Sequence, residues 1–89
     1  MDLEHCRQEI DELDRELVRY MERRMNVVAQ VAQYKQLHNM PVYDHRRELM
    51  VLDKVAELVQ DKELVPYVQR IFQNMMDESK RYEQIRMER

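Results

Sequence analysis

A seven-residue apolar rhythm running from Leu3 to Tyr34 constrains this chain more than any other feature. Leu3, Cys6, Ile10, Leu13, Leu17, Tyr20, Arg24, Val27, Val31 and Tyr34 follow one another at alternating spacings of three and four. Such spacing places them on one narrow stripe of an α-helix. The pattern predicts a single helix from about Asp2 to about Leu37, roughly 54 Å long at ~1.5 Å per residue. A compact chain of 89 residues has a radius of gyration of only about 12 Å. The remainder of the chain is too short to cover such a helix, and a second copy is the simplest cover.

The rest of the sequence is also helical in character. Gly is absent, and Pro41 and Pro66 are the only prolines. Without Gly, turns that need positive φ are hard to build, which disfavours hairpins and sheets. Pro41 pushes Met40 out of helical geometry and ends the first helix. Asp44 is placed to cap a second helix running to about Gln60, with Leu49, Leu52, Val55, Ala56 and Val59 on its apolar face. Asp61-Lys62-Glu63 is a polar connection. A third helix starts near Leu64 with Pro66 in its first turn, its face formed by Val68, Ile71, Phe72, Met75, Met76, Ser79 and Tyr82. The expected architecture is all-α, three helices with the first very long, in one domain over residues 1–89.

Net charge is −3, which disfavours nucleic-acid binding through a basic face but is compatible with a local cationic pocket. Met1-Asp2-Leu3-Glu4 lacks the basic and apolar regions of a secretion signal, and no apolar run approaches the ~18 residues of a membrane span. The single Cys6 has no internal disulfide partner, as expected in a reducing compartment. These features predict a cytoplasmic chain with no membrane and no nucleic-acid partner. Cys6 reads as a small core hydrophobe, and the eight Met residues as core filler. His5, His38 and His45 lack zinc-site spacing, and a glycine-rich phosphate loop is ruled out by composition.

Several polar residues sit where apolar ones are expected. Arg24 interrupts the seam. A polar seam residue can simply set register, and a long Arg stem can reach water. Lys35, however, follows eleven residues later, about 20° around the helix. Two cations on one stripe repel unless an anion lies between them, which favours an anion site. Arg7 precedes Arg24 by seventeen residues, about 25 Å along the axis and about 100° around. One small ligand cannot touch both on a straight helix. If both serve one site, Arg7 comes from another chain; taken alone it reads as a solvated surface residue. Ser79 and Glu83 fall on the inner face of the third helix, and Arg47 and Glu48 open the second.

Arg7-Gln8-Glu9-Ile10-Asp11-Glu12-Leu13-Asp14 resembles the opening of the all-helical chorismate mutases. So do Glu22-Arg23-Arg24 followed by Lys35, Pro41-Val42-Tyr43-Asp44-His45-Arg46-Arg47-Glu48, and Arg70-Ile71-Phe72-Gln73 leading to Ser79. The likeness covers nearly the whole chain in order and spacing. It implies an intertwined homodimer with two sites, each completed by Arg7 of the other chain, and a reaction needing neither cofactor nor metal.

The resemblance also implies residue roles. Arg7 from the partner and Arg24 bind the two carboxylates of chorismate. Lys35 reaches a carboxylate and the ether oxygen of the breaking bond. Glu48 accepts from the ring hydroxyl, with the backbone near Asp44 assisting. Arg47 pairs with acidic neighbours and shapes the cationic pocket, Ser79 contacts a carboxylate, and Glu83 faces the ether oxygen. Many family members have Gln where this chain has Glu83. Gln donates a hydrogen bond at any ordinary pH, whereas Glu donates only as the neutral acid, and an ordinary Glu carboxyl titrates near ~4.3. The expected activity is conversion of chorismate to prephenate in phenylalanine and tyrosine biosynthesis. An isochorismate pyruvate lyase on the same fold is the nearest alternative, although Glu48 suits the ring hydroxyl of chorismate. A non-catalytic helical dimerisation module explains the seam but not Arg24, Lys35, Arg47 and Glu48 together.

Overall fold

The computed structural model describes residues 2–88. Helix α1 spans Leu3–Leu37, α2 spans His45–Leu58 and α3 spans Val65–Glu88, with a one-turn 3-10 helix at Lys62–Leu64. No strand occurs among the described residues. Each start carries the signal expected of it. Asp2 accepts from His5 N at 2.7 Å, and Asp44 accepts from Arg47 N at 3.0 Å. These bonds satisfy backbone donors that no helical carbonyl can reach. The second helix ends at Leu58 rather than Gln60, and Lys62 Nζ donates to the freed carbonyls of Ala56 and Val59 at 2.9 and 2.6 Å.

The absence of Gly is accommodated at the end of α1. Asn39 takes φ 53°, the left-handed conformation usually left to Gly. Met40 N then donates to Lys35 O at 2.8 Å and Asn39 N to Gln36 O at 3.4 Å, closing the helix on itself. Asn is among the residues that tolerate this region, so the turn is built without Gly.

Helix α3 packs on both other helices. Gln69 Nε2 donates to Leu52 O while Gln73 reaches back to Glu48, so α2 and α3 run antiparallel. Met21 and Arg24 lie beside Ile71 and Glu78, and Gln36 donates to Met87 O, so α1 and α3 run parallel. The molecule measures 54 × 26 × 15 Å, with a radius of gyration of 16.0 Å against the ~12 Å of a compact chain.

The expected core changes in one respect. Most of the seam of α1 is not covered by the chain itself: Leu13 is 64% exposed, Tyr20 58% and Val27 55%. Every residue from Arg7 to Arg23 is exposed. Packing against α3 uses the stripe one residue on, with Val28, Ala29, Ala32 and Lys35, about 100° around from the seam. Ala29 and Ala32 let α3 approach closely, and Ala32 is the most buried residue named in the core. Cys6 is only half-buried rather than a core residue, on a stretch of α1 that is otherwise exposed up to Arg23. Leu49 and Ile71, expected inside, are also exposed: they lie at the margins of stripes centred on Val55 and Met76. Among the described residues, Ala32, Val55 and Met76 are the buried hydrophobic ones, a small core.

Candidate active site

A cleft of about 320 Å³ opens where the second half of α1, the connector Pro41–Asp44, the start of α2 and the middle of α3 meet. Arg24, Lys35, Asp44, Arg47, Glu48, Ser79 and Glu83 all line it, with Val27, Val28, Val31, Val42, Val51 and Met76 as apolar wall. Seven of the eight residues singled out in the sequence therefore converge. Arg7 is the exception, exposed on the far part of the unbroken α1.

Most of the polar side chains are held by identifiable partners. Arg24 Nη1 donates to Ser79 Oγ at 2.6 Å. Ser79 Oγ in turn donates to Met75 O at 2.8 Å, so its remaining lone pair faces the guanidinium. Ser79 is 6% exposed, which leaves it no freedom to turn to solvent. Lys35 Nζ donates to Val42 O at 2.8 Å, tying the connector to α1. It also stands 2.9 Å from Glu83 Oε1. That contact is an ion pair by distance but falls outside hydrogen-bond angles, and Glu83 Oε1 accepts no directed bond. Glu83 is 6% exposed while its neighbour Gln84 points out. A buried, poorly satisfied carboxylate thus points into the cleft beside a lysine.

Arg47 departs from expectation. It forms no ion pair among the described residues, because the nearby acids are already engaged. Asp44 caps α2, and Glu48 is held from α3 by Lys80 Nζ at 2.9 Å and Gln73 Nε2 at 3.1 Å. Burial pushes the Glu48 carboxyl up, but the hydrogen bonds from Lys80 and Gln73 outweigh it and hold the group below the ordinary carboxylate range. Arg47 is left uncommitted on the cleft wall. The sequence reading missed Lys80 and Gln73. The signal was there: positions 73, 77 and 80 share a helix face with Met76 and Glu83.

Arg24, Lys35 and Arg47 give the cleft three cations in an acidic chain, set in an apolar wall that strengthens their field. Arg guanidinium suits paired contacts to carboxylates. The place has the chemistry to bind a small polyanion with a hydrogen-bonding group opposite Glu48. The sequence pattern of the chorismate mutase type II family matches residues 6–84, which include every element of the cleft.

The chain belongs to the chorismate mutase type II family.

Two curated relatives are similar to it as well. Over 79 residues, 88% of this chain, it is 33% identical to a bifunctional chorismate mutase/prephenate dehydratase of Buchnera aphidicola subsp. Schizaphis graminum, and covers 20% of that protein. Over 50 residues, 56% of the chain, it is 42% identical to the T-protein of Haemophilus influenzae, and covers 13% of it. The chain thus spans a fifth or less of the curated relatives it matches. No solved structure matches it significantly. No described helix is long and apolar enough to cross a membrane.

Proposed function

We propose that this chain is a chorismate mutase, an isomerase converting chorismate to prephenate in the cytoplasm on the route to phenylalanine and tyrosine. The observation that carries the reading is the gathering of Arg24, Lys35, Arg47, Glu48 and Ser79 around one cleft, in a chain of this family. The reaction is an intramolecular Claisen rearrangement. One carbon–oxygen bond breaks as one carbon–carbon bond forms, with no proton removed and no covalent intermediate. The protein then has two tasks. It holds the enolpyruvyl arm over the ring, and it stabilises negative charge growing on the ether oxygen.

Arg24, backed by Ser79, takes one carboxylate, and Arg7 of the partner subunit takes the other. Lys35 exchanges its Glu83 contact for a carboxylate and the ether oxygen. Arg47, free of acidic partners, adds positive field near the carboxylates, and Glu48 accepts from the ring hydroxyl with Asp44 beside it. A homodimer supplies both the second arginine and a cover for the exposed seam of α1. Incubation with chorismate is expected to yield prephenate, with Arg24→Ala as the inactive control. Turnover of isochorismate to salicylate and pyruvate, without prephenate, would assign the lyase. Neither turnover nor thermal stabilisation by a bicyclic transition-state analogue would leave only a dimerisation module.

Glu83 makes a sharper prediction. Once Lys35 turns to substrate, the buried Glu83 side chain faces the electron-rich ether oxygen. The neutral acid donates a hydrogen bond to the ether oxygen; the carboxylate repels it. Activity is therefore expected to rise toward acid pH, and Glu83→Gln to flatten the profile, because an amide donates at every pH. Superimposable pH–rate profiles for the two proteins would refute this role.

A further inference from the structure

Lys80 has no part in the chemistry above, yet its ammonium meets side chains of three elements beside the cleft. Its Nζ stands 2.9 Å from Glu48 Oε2 on α2, 3.3 Å from Asp77 Oδ1 on α3, and 4.8 Å from the centre of the Tyr43 ring on the connector. It therefore joins three separate elements at one end of the cleft. Gln73 completes the arrangement, its Nε2 lying 3.1 Å from both Glu48 Oε1 and Asp77 Oδ1. Both oxygens of Glu48 are thus held from behind, by α3, while the carboxylate still lines the cleft. Sequence alone does not reveal this, because Glu48 and Lys80 are thirty-two residues apart on different helices.

The placement answers an electrostatic problem. A carboxylate in a cleft that binds a dianion repels its own ligand, yet a neutral Glu48 is a poorer acceptor for a ring hydroxyl. An ammonium on the side away from the ligand eases both difficulties: it offsets the Glu48 charge and keeps the proton off. We propose that Lys80, bridging Glu48, Asp77 and the Tyr43 ring, is a positioning residue that keeps Glu48 ionised, aimed into the cleft and electrically masked from an anionic substrate. The substrate part of this inference rests on the chorismate mutase reading; the effect on Glu48 does not.

The direction of titration agrees with the geometry. Lys80 is raised above the ordinary lysine range, chiefly by its hydrogen bond to Glu48. Asp77 is lowered by the hydrogen bonds from Gln73 and Lys80. The other charges around Glu48 are Asp44 and Arg47 at the start of its own helix, Glu83 on α3, and Arg24 and Lys35 across the cleft on α1. None of these but Arg47 and Asp44 is near in sequence, and Lys80 is the cation in direct contact with Glu48.

The test is Lys80→Met, which keeps most of the stem and removes the charge, alongside Lys80→Arg. Carboxyl-carbon NMR without substrate is expected to show Glu48 titrating at higher pH in Lys80→Met and near its original position in Lys80→Arg. In turnover, Lys80→Met is expected to raise KM for chorismate about tenfold with a smaller change in kcat, since the loss is of charge balance in binding. The acid limb of its kcat/KM profile should move to higher pH, and Lys80→Arg should restore both. An unmoved Glu48 titration in folded Lys80→Met overturns the proposal. So does a moved titration with unchanged KM and acid limb in an enzyme whose parent turns over chorismate. If the parent does not turn over chorismate, the function reading fails, and the NMR titration still decides whether Lys80 controls Glu48. Should Lys80→Met not fold by circular dichroism, Lys80→Gln takes its place with the same expected shifts.

Discussion

Replacing Lys35 by Ala is expected to lower kcat about 10²–10³-fold, the usual loss when one group that stabilises a developing oxyanion is removed. Lys35 is the cleft's best-placed cation for this. Its side chain is 14% exposed, its ammonium is anchored on Val42 O, and its other neighbour is Glu83. A cation fixed before the reaction begins needs no reorganisation as charge appears on the ether oxygen. KM should rise less than kcat falls, because the carboxylate clamps remain. The substitution also strands the Glu83 carboxylate in a buried position. Breaking such a pair costs on the order of 3 kcal/mol, less where the cleft admits water. Lys35→Ala combined with Glu83→Gln removes the stranded charge and separates the two effects. The double variant should recover thermal stability but not kcat. Single-turnover rates measured on folded protein decide the matter, and a kcat within about threefold of the parent would exclude Lys35 from the chemistry.

Arg7→Ala and Arg24→Ala are each expected to abolish most activity alone, and to restore it when mixed. Helix α1 is unbroken from Leu3 to Leu37, so the two arginines lie about 25 Å apart along one rod. Arg7 is also exposed and outside its own chain's cleft. If each site takes Arg24 from one chain and Arg7 from the other, a mixed dimer contains one site with both arginines intact and one lacking both. After random exchange, half the dimers are mixed, so activity should return to about a quarter of the parent's. Recovery is read by assaying prephenate formation before and after refolding the mixture together. No recovery, despite subunit exchange seen by mass spectrometry, would show that Arg7 does not cross between chains. The same exchange tests the cover for Leu13, Leu17 and Tyr20, whose exposure a lone chain leaves uncompensated.

Much of the fold was legible because helices report themselves locally. Asp2 and Asp44 cap where their side-chain oxygens meet bare backbone donors, and α1 stops at Leu37, where Asn39 turns the chain ahead of Pro41. What misled was the choice of inner face on α1. A periodic stripe says which residues want cover but not which partner provides it, and here α3 takes the neighbouring, smaller-residue stripe of Ala29 and Ala32. The second helix ended two residues early for a similar reason. Lys62 captures the carbonyls of Ala56 and Val59 from beyond the helix, a contact that depends on how the chain turns.

The candidate site divides along the same line. Arg24 and Lys35 were legible because charge on an inner helical stripe is costly unless it serves something, Ser79 and Glu83 because helical spacing puts them on the inner face of α3, and Arg47 and Glu48 through the resemblance to the family. The sequence alone thus determined the helices, the polar groups they carry, and the mismatch between a long seam and a short chain. The tertiary structure alone decided the pairings across helices. It gave Lys35 to Glu83, Arg24 to Ser79 and Lys80 to Glu48, and left Arg47 without an acid among the described residues. Periodicity is a property of one helix. Which charge meets which depends on the rotation and offset between two, and those are set by the volumes of Val28, Ala32, Val55 and Met76 where the helices touch.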